Sequence, residues 1–198
     1  MPDAGRVVTG TAKGLRLAAP GEGTRPLSDR LKQGLFGSLA ADTDVLDGGA
    51  FLDLYAGSGA AGIEALSRGA GRTLFLEHDA GACRVIADNL RRAGLAGGRV
   101  VRADVLRHLA NVPPEAEAFD ACLADPPYNQ PLMEPTLELL GASPVGWLRP
   151  AAVVVAKHFW RDAPPDQVGR LRAYRRRRQG ETMLSFYRLH EPDEAQED

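Results

Sequence analysis

Phe51-Leu52-Asp53-Leu54-Tyr55-Ala56-Gly57-Ser58-Gly59-Ala60-Ala61-Gly62 decides the fold. A short apolar strand runs into a glycine turn, and Ile63-Glu64-Ala65-Leu66-Ser67-Arg68 continues it as a helix. Gly57 and Gly59 permit positive φ and let a ligand approach the backbone. Gly62 permits close packing of helix on strand. The spacing is formally G-x-G-x-x-G, which alone does not select a cofactor.

Working outward, Thr73–Leu76 and Val100–Ala103 read as further strands, ending at Glu77 and Asp104. Asp53 tips the balance among ligands. A pyrophosphate disfavours a neighbouring carboxylate, whereas an amino-acid ammonium favours one, and S-adenosylmethionine carries that ammonium. Glu77, 18 residues after Gly59, suits two ribose hydroxyls. Asp104 suits an adenine amino group. The bland account of each acid is a solvated strand end or a helix cap. All three stand at strand carboxyl ends, where open α/β sheets bind ligands.

Phe119–Ala124 is another apolar strand, and it delivers Asp125-Pro126-Pro127-Tyr128. Asp125 can accept one N–H of an exocyclic amine and the Pro126 carbonyl the other. The prolines fix the backbone so that both acceptors point one way, and Tyr128 offers a stacking face. A proline turn closing a strand is the bland alternative. Asn129 reads more readily as a turn residue than as a base contact, and His108 and His158 as packing residues.

Alternating strands and helices predict a mostly parallel sheet with helices on both faces. Strands are expected at 50–54, 73–77, 99–103, 119–124 and 151–156, with helices at 27–40, 60–69, 80–93 and 131–141 and a turn at 105–110. Residues 5–18 read as a β-hairpin, and the segments 170–175 and 183–188 as a closing pair of strands.

The 198 residues, 44% hydrophobic, support one substantial core. Cys83 and Cys122 lack metal-like spacing and read as free thiols in a reducing cytoplasm. Neither a signal peptide nor a membrane span is expected. A net charge of −2 argues against a general nucleic-acid binder, but its distribution is uneven. Residues 1–40 carry six basic residues against three acids, and 157–178 eight against two. The middle, 41–156, has 15 acids against nine bases. Basic edges around an acidic body suit a large anionic substrate; a solvated charged face is the plain alternative.

With these motifs in hand, the chain resembles the bacterial 16S ribosomal RNA guanine-N2 methyltransferases of the RsmD type. The resemblance rests on Arg6–Leu17, Thr24–Phe36, Leu52–Gly59, Gly62–Ala70 and Asp125–Tyr128. Three departures stand out. Leu27 follows Arg-Pro where Thr is usual, Tyr55 precedes the glycine turn where Phe is usual, and Lys157-His158 ends the fifth strand where an acid is common. The resemblance implies a Rossmann-like class I methyltransferase, with a seven-stranded sheet, an antiparallel last strand and an N-terminal hairpin extension. The expected divisions are 1–22 for the extension, 23–190 for the methyltransferase domain and 191–198 for an acidic disordered tail.

The resemblance further implies S-adenosylmethionine as cofactor, without a metal. Its site would comprise Asp53, Tyr55, Gly57, Ser58, Gly59, Glu77, His78, Asp104, Val105 and Asp125. Asp125, Pro126, Pro127 and Tyr128 would act on the base. Lys13, Arg16, Arg25, Arg30 and Arg175 to Arg178 would grip RNA. The expected partner is 16S ribosomal RNA in a 30S subunit or assembly intermediate, bound by a cytoplasmic monomer. Three alternatives stay open. A DNA amino-methyltransferase acting on adenine or cytosine would need more target-recognition sequence. A nicotinamide dehydrogenase would leave Asp53 and Asp125 without a role. A non-catalytic RNA-binding assembly factor would not need the intact tetrapeptide.

Overall fold

A computed structural model describes residues 3–21, 27–111, 117–128, 130–142 and 146–190. Arg25, Asn129 and the acidic tail 191–198 lie outside the described residues. The elements in chain order are β1 (Asp3–Arg6), β2 (Arg16–Ala18), α1 (Asp29–Asp42), β3 (Ala50–Leu54), α2 (Ala60–Arg68), β4 (Arg72–Glu77), α3 (Ala80–Ala93), β5 (Gly98–Arg102), α4 (Val105–Leu109), β6 (Phe119–Ala124), α5 (Met133–Gly141), β7 (Leu148–Phe159), β8 (Gln167–Val168), β9 (Leu171–Gln179) and β10 (Thr182–Leu189).

The main sheet has the order β5-β4-β3-β6-β7-β10-β9-β8. Pairing is parallel from β5 to β7, and β10 lies antiparallel between β7 and β9. The eighth strand, β8, exceeds the seven expected. Two residues carry no readable period, and only their pairing with Leu171 and Arg172 defines it. Strand order reverses between β3 and β6, which makes their carboxyl ends the natural binding crevice.

Period-two alternation explains why both faces are covered. Phe51, Phe75, Leu123 and Val155 enter the core beneath α1, α2 and α3. Leu52, Leu74, Cys122 and Val154 enter the opposite one with Leu137 and Trp147. Every residue of β3 is buried, as a central parallel strand requires. A Cβ on Gly62 would stand 2.3 Å from the Phe75 ring, so helix and strand touch there. Ser28 caps α1 by accepting from Leu31 N at 3.2 Å, the role its residue type favours.

The hairpin β1–β2 is stitched to the body through α1, α2 and α3. Fully buried Glu64 accepts from Val8 N at 2.7 Å, Thr9 N at 3.0 Å and Arg68 Nε at 2.7 Å. Ser67 Oγ accepts from Ala12 N and donates to Thr9 O. Buried Lys32 donates to Arg6 O, and burial pulls its pKa down. A Cβ on Gly10, at φ +89°, would fall 1.6 Å from Ser67 O, so glycine is required there. Glu64, Ser67 and Arg68 of α2 therefore anchor the N-terminal hairpin, while Ala65 and Leu66 of the same run pack in the core on the sheet.

Candidate active site

The glycine turn leaves β3 through Tyr55, the positive-φ non-glycine residue among those described, at φ +59°. Holding a bulky residue there costs free energy, and a hydrogen bond opposes the loss. Thr136 Oγ1 donates to Leu132 O at 2.6 Å, so the Tyr55 hydroxyl, 2.7 Å away, is the donor to Thr136. This ties the turn to the start of α5. Gly57 N donates to Glu77 Oε2 at 2.9 Å. Glu77 Oε1 accepts from Asp79 N at 2.9 Å and lies 3.0 Å from His78 Nδ1.

Asp53 is 2% exposed, and its Oδ2 accepts from Gly62 N at 2.8 Å. It supplies the cap that Gly59, which heads α2 without a side chain, cannot. Burial pushes the Asp53 carboxyl up to about 8; the Gly62 N–H works against this, and the charges of Asp125 and Glu77 add to it.

A cavity of about 390 Å³ opens over these groups, lined by Leu27, Asp53, Tyr55, Gly57, Ser58, Glu77, His78, Asp125, Pro126, Pro127, Tyr128 and Lys157 among others. Three residues expected at the cofactor do not line this cavity. Gly59 faces inward, and a Cβ on it would meet Ile86 at 3.0 Å. Asp104 caps α4 by accepting from Arg107 N at 2.9 Å, and Val105 is buried in the second core. Neither lines the cavity, because α4 starts at once after Asp104 and turns the pair into its first turn.

Asp125 follows β6, and Ala124 pairs with Ala156 of β7. One step further on, the two strands bring Asp125 and Lys157 together. Lys157 Nζ lies 2.6 and 2.8 Å from the two carboxylate oxygens and 4.9 Å from the centre of the Tyr128 ring. Burial pushes the Asp125 carboxyl up, and the ammonium opposes this. Burial would lower the Lys157 ammonium, yet Asp125 and Tyr128 outweigh it and raise it. Tyr128 is 38% exposed, a large ring left open to solvent. A second cavity, about 560 Å³, shares Pro126, Pro127, Tyr128 and Lys157 and continues past Pro131, Glu134, Glu138 and Phe159.

Sequence reasoning registered Lys157 as a departure but gave it no partner. Its position just past the buried run of β7 was the available signal, since β7 and β6 are neighbours. His158 lines the second cavity, but its ring nitrogens meet Ser185 Oγ at 2.8 Å and Phe159 O at 2.7 Å. His108 packs on Trp147 with ring centroids 5.1 Å apart.

Among the residues expected to meet RNA, Lys13 and Arg30 are exposed and Arg16 pairs with Asp3. The four consecutive arginines of β9, Arg175 to Arg178, are exposed but engaged. Arg175 binds Asp42 and Arg176 binds Asp166. Arg177 lies over Gly34, and Arg178 stacks 3.9 Å from the centre of the Trp160 ring. Such charges also guard an open sheet edge against pairing. Among the described residues no cluster of His, Cys, Asp and Glu could hold a metal, and no helix is long and apolar enough to cross a membrane.

Comparison with known proteins identifies the family and the fold. The family model described as conserved hypothetical protein 95 matches residues 5–188. YlbH of Bacillus subtilis, provisionally named an rRNA methyltransferase, is 34% identical over 185 residues, covering 92% of this chain and 98% of its own. Ribosomal RNA small subunit methyltransferase D of Escherichia coli K12 is 29% identical, covering 98% and 94%. The solved structure of yhhF from Escherichia coli, provisionally a methyltransferase, superimposes with a TM-score of 0.79 at 29% identity, covering 94% and 98%. The architecture is that of the class I methyltransferases.

Proposed function

Because the chain belongs to the RsmD-type family described as conserved hypothetical protein 95, we propose that it transfers a methyl group from S-adenosylmethionine to the N2 amine of a guanine in 16S ribosomal RNA. The observation that carries this reading is the sharing of one cavity by Asp53, Glu77 and Asp125-Pro126-Pro127-Tyr128. On this reading an acceptor set for an amine would stand beside a carboxylate-lined pocket for a cationic cofactor. The relatives named for ribosomal RNA support the substrate class. The resemblance of the motifs supports guanine N2.

When bound, S-adenosylmethionine supplies an electrophilic methyl group on a sulfonium. Asp53 would hold its ammonium, Gly57 and Ser58 would let its chain approach the backbone, and Glu77 would accept its ribose hydroxyls. Asp125 and the Pro126 carbonyl would take the two N–H bonds of the guanine amine. That favours a more pyramidal nitrogen with its lone pair free to attack. Tyr128 would stack on the base, worth roughly 1–3 kcal/mol. As the nitrogen gains its new carbon it loses one proton, and Asp125 is the acceptor within reach. A base drawn from a duplex must first leave its stack, at a cost of a few kcal/mol. Lys13, Arg16, Arg30 and the β9 arginines would position phosphates without reading sequence. The substrate would be a small-subunit particle or assembly intermediate, met by a monomer in the cytoplasm.

Asp53 gives a pH signature. Its carboxyl, at about 8 in the protein alone, is mostly protonated at neutral pH. An ammonium favours the charged form and lowers that pKa. Binding therefore releases a proton and tightens as pH rises towards 8. Asp53→Asn keeps an acceptor for Gly62 and should weaken binding by roughly 1–3 kcal/mol. Calorimetry in buffers of different ionisation enthalpy should find proton release in the wild type and none in Asp53→Asn. Equal release from both would contradict the assignment.

The reaction is tested by following tritiated methyl from S-adenosylmethionine into 30S particles from a strain lacking the enzyme, naked 16S ribosomal RNA and DNA. Label is expected in ribosomal RNA. Label confined to DNA would overturn the reading.

A further inference from the structure

We infer that Lys157 is a positioning residue for transfer: its ammonium fixes the Asp125 carboxylate, ionised and oriented, at the amine site and remains there when the base enters. This rests on the reaction proposed above.

The ammonium reaches both oxygens, at 2.6 and 2.8 Å. A surface pair of this kind would contribute little, but here the side chains are only 12% and 28% exposed. A carboxylate offers about four acceptor positions. Lys157 engages one on each oxygen, which leaves room for an N–H of the base. Displacement is therefore unnecessary, and the pair can act as a fixed wall. Both cavities are lined by Lys157, Tyr128, Pro126 and Pro127, so that wall stands between the cofactor pocket and the space open to a base.

Charge explains why a cation is needed. The other titratable groups lining the first cavity are Asp53 from β3, Tyr55 from the glycine turn, Glu77 at the end of β4, His78 after it, and Tyr128. Without Lys157, Asp125 would share the cavity with two further carboxyls and no fixed ammonium. A buried carboxyl in that setting takes up a proton, and a protonated Asp125 cannot accept from the amine through its O–H. The second cavity, which Lys157 also lines, adds Glu134 and Glu138 from α5, Asp162 after β7, and His158, which is turned to Ser185; none of them offers a replacement cation.

The test compares the wild type with Lys157→Met, Lys157→Gln and Lys157→Arg, following kcat against pH with saturating RNA and cofactor. The acid limb should move up by about one pH unit or more in the Met and Gln variants, since an opposite charge at this range shifts a carboxyl by roughly 1–3 units. Lys157→Arg should restore it. S-adenosylhomocysteine affinity should stay within about threefold, which also shows that the variants fold. An independent readout needs no turnover. The infrared spectrum of Lys157→Met near neutral pH should gain a protonated-carboxyl band that vanishes when Asp125→Asn is added. An acid limb at the wild-type position in both neutral variants overturns the inference while leaving the reaction intact. A wild type that transfers no methyl to RNA sinks the reaction, and the inference with it.

Discussion

Asp125→Ala stops methyl transfer, with kcat falling by at least about 10³-fold, within the range that positioning and proton transfer supply together. Cofactor affinity stays within a few-fold, because the proposed partner of Asp125 is the base. The substitution also leaves Lys157 Nζ without the carboxylate it holds at 2.6 Å, so thermal stability should fall too. Asp125→Asn separates these effects: it keeps an acceptor of similar shape, and any loss of rate it shows reflects the charge. Tyr128 belongs to the same expectation. Tyr128→Ala should be severe and Tyr128→Phe mild, since stacking needs the ring and not the hydroxyl. Steady-state kinetics with calorimetry on the same preparations measures all four variants. An Asp125→Ala enzyme within tenfold of the wild type would contradict the account.

Glu64→Ala has the largest expected effect on the fold, a loss of roughly 3–5 kcal/mol. The carboxylate is fully buried and satisfies two backbone N–H groups of the N-terminal segment together with Arg68. Truncation leaves Val8 N, Thr9 N and the Arg68 guanidinium without that acceptor, and no water reaches the site at no cost. Lys32, which Glu64 helps to keep charged against burial, loses a neighbour as well. Glu64→Gln retains one acceptor oxygen and should cost less. Urea unfolding gives the magnitude, and limited proteolysis shows whether residues 3–18 detach first. A change below about 1 kcal/mol would mean that the hairpin is held by packing alone.

Local chemistry was legible in the sequence. The path from β3 through the glycine turn into α2, the Ser28 cap and the clustering of Asp53, Glu77 and Asp125 at strand ends all follow from residue types within a few positions. Long-range pairing was not legible. Lys157 meets Asp125 only because β6 and β7 are in register, and nothing between residues 125 and 157 encodes that register locally. Asp104 shows the converse. At a strand end it reads as a ligand group, and the immediate start of α4 also gives one of its oxygens the task of a cap. β8 is too short for any period to appear. The β9 arginines read as a phosphate grip, yet each also has a task inside the protein, from Asp42 to Trp160.

The central claim is the identity of the methylated atom. The direct measurement digests 16S ribosomal RNA, methylated by the purified enzyme on particles from a strain lacking it, and identifies the nucleosides by mass spectrometry against standards. The account predicts N2-methylguanosine as the labelled product, lost with Asp125→Ala. Label in N6-methyladenosine or N4-methylcytosine, or in a ring-methylated guanosine, would contradict it.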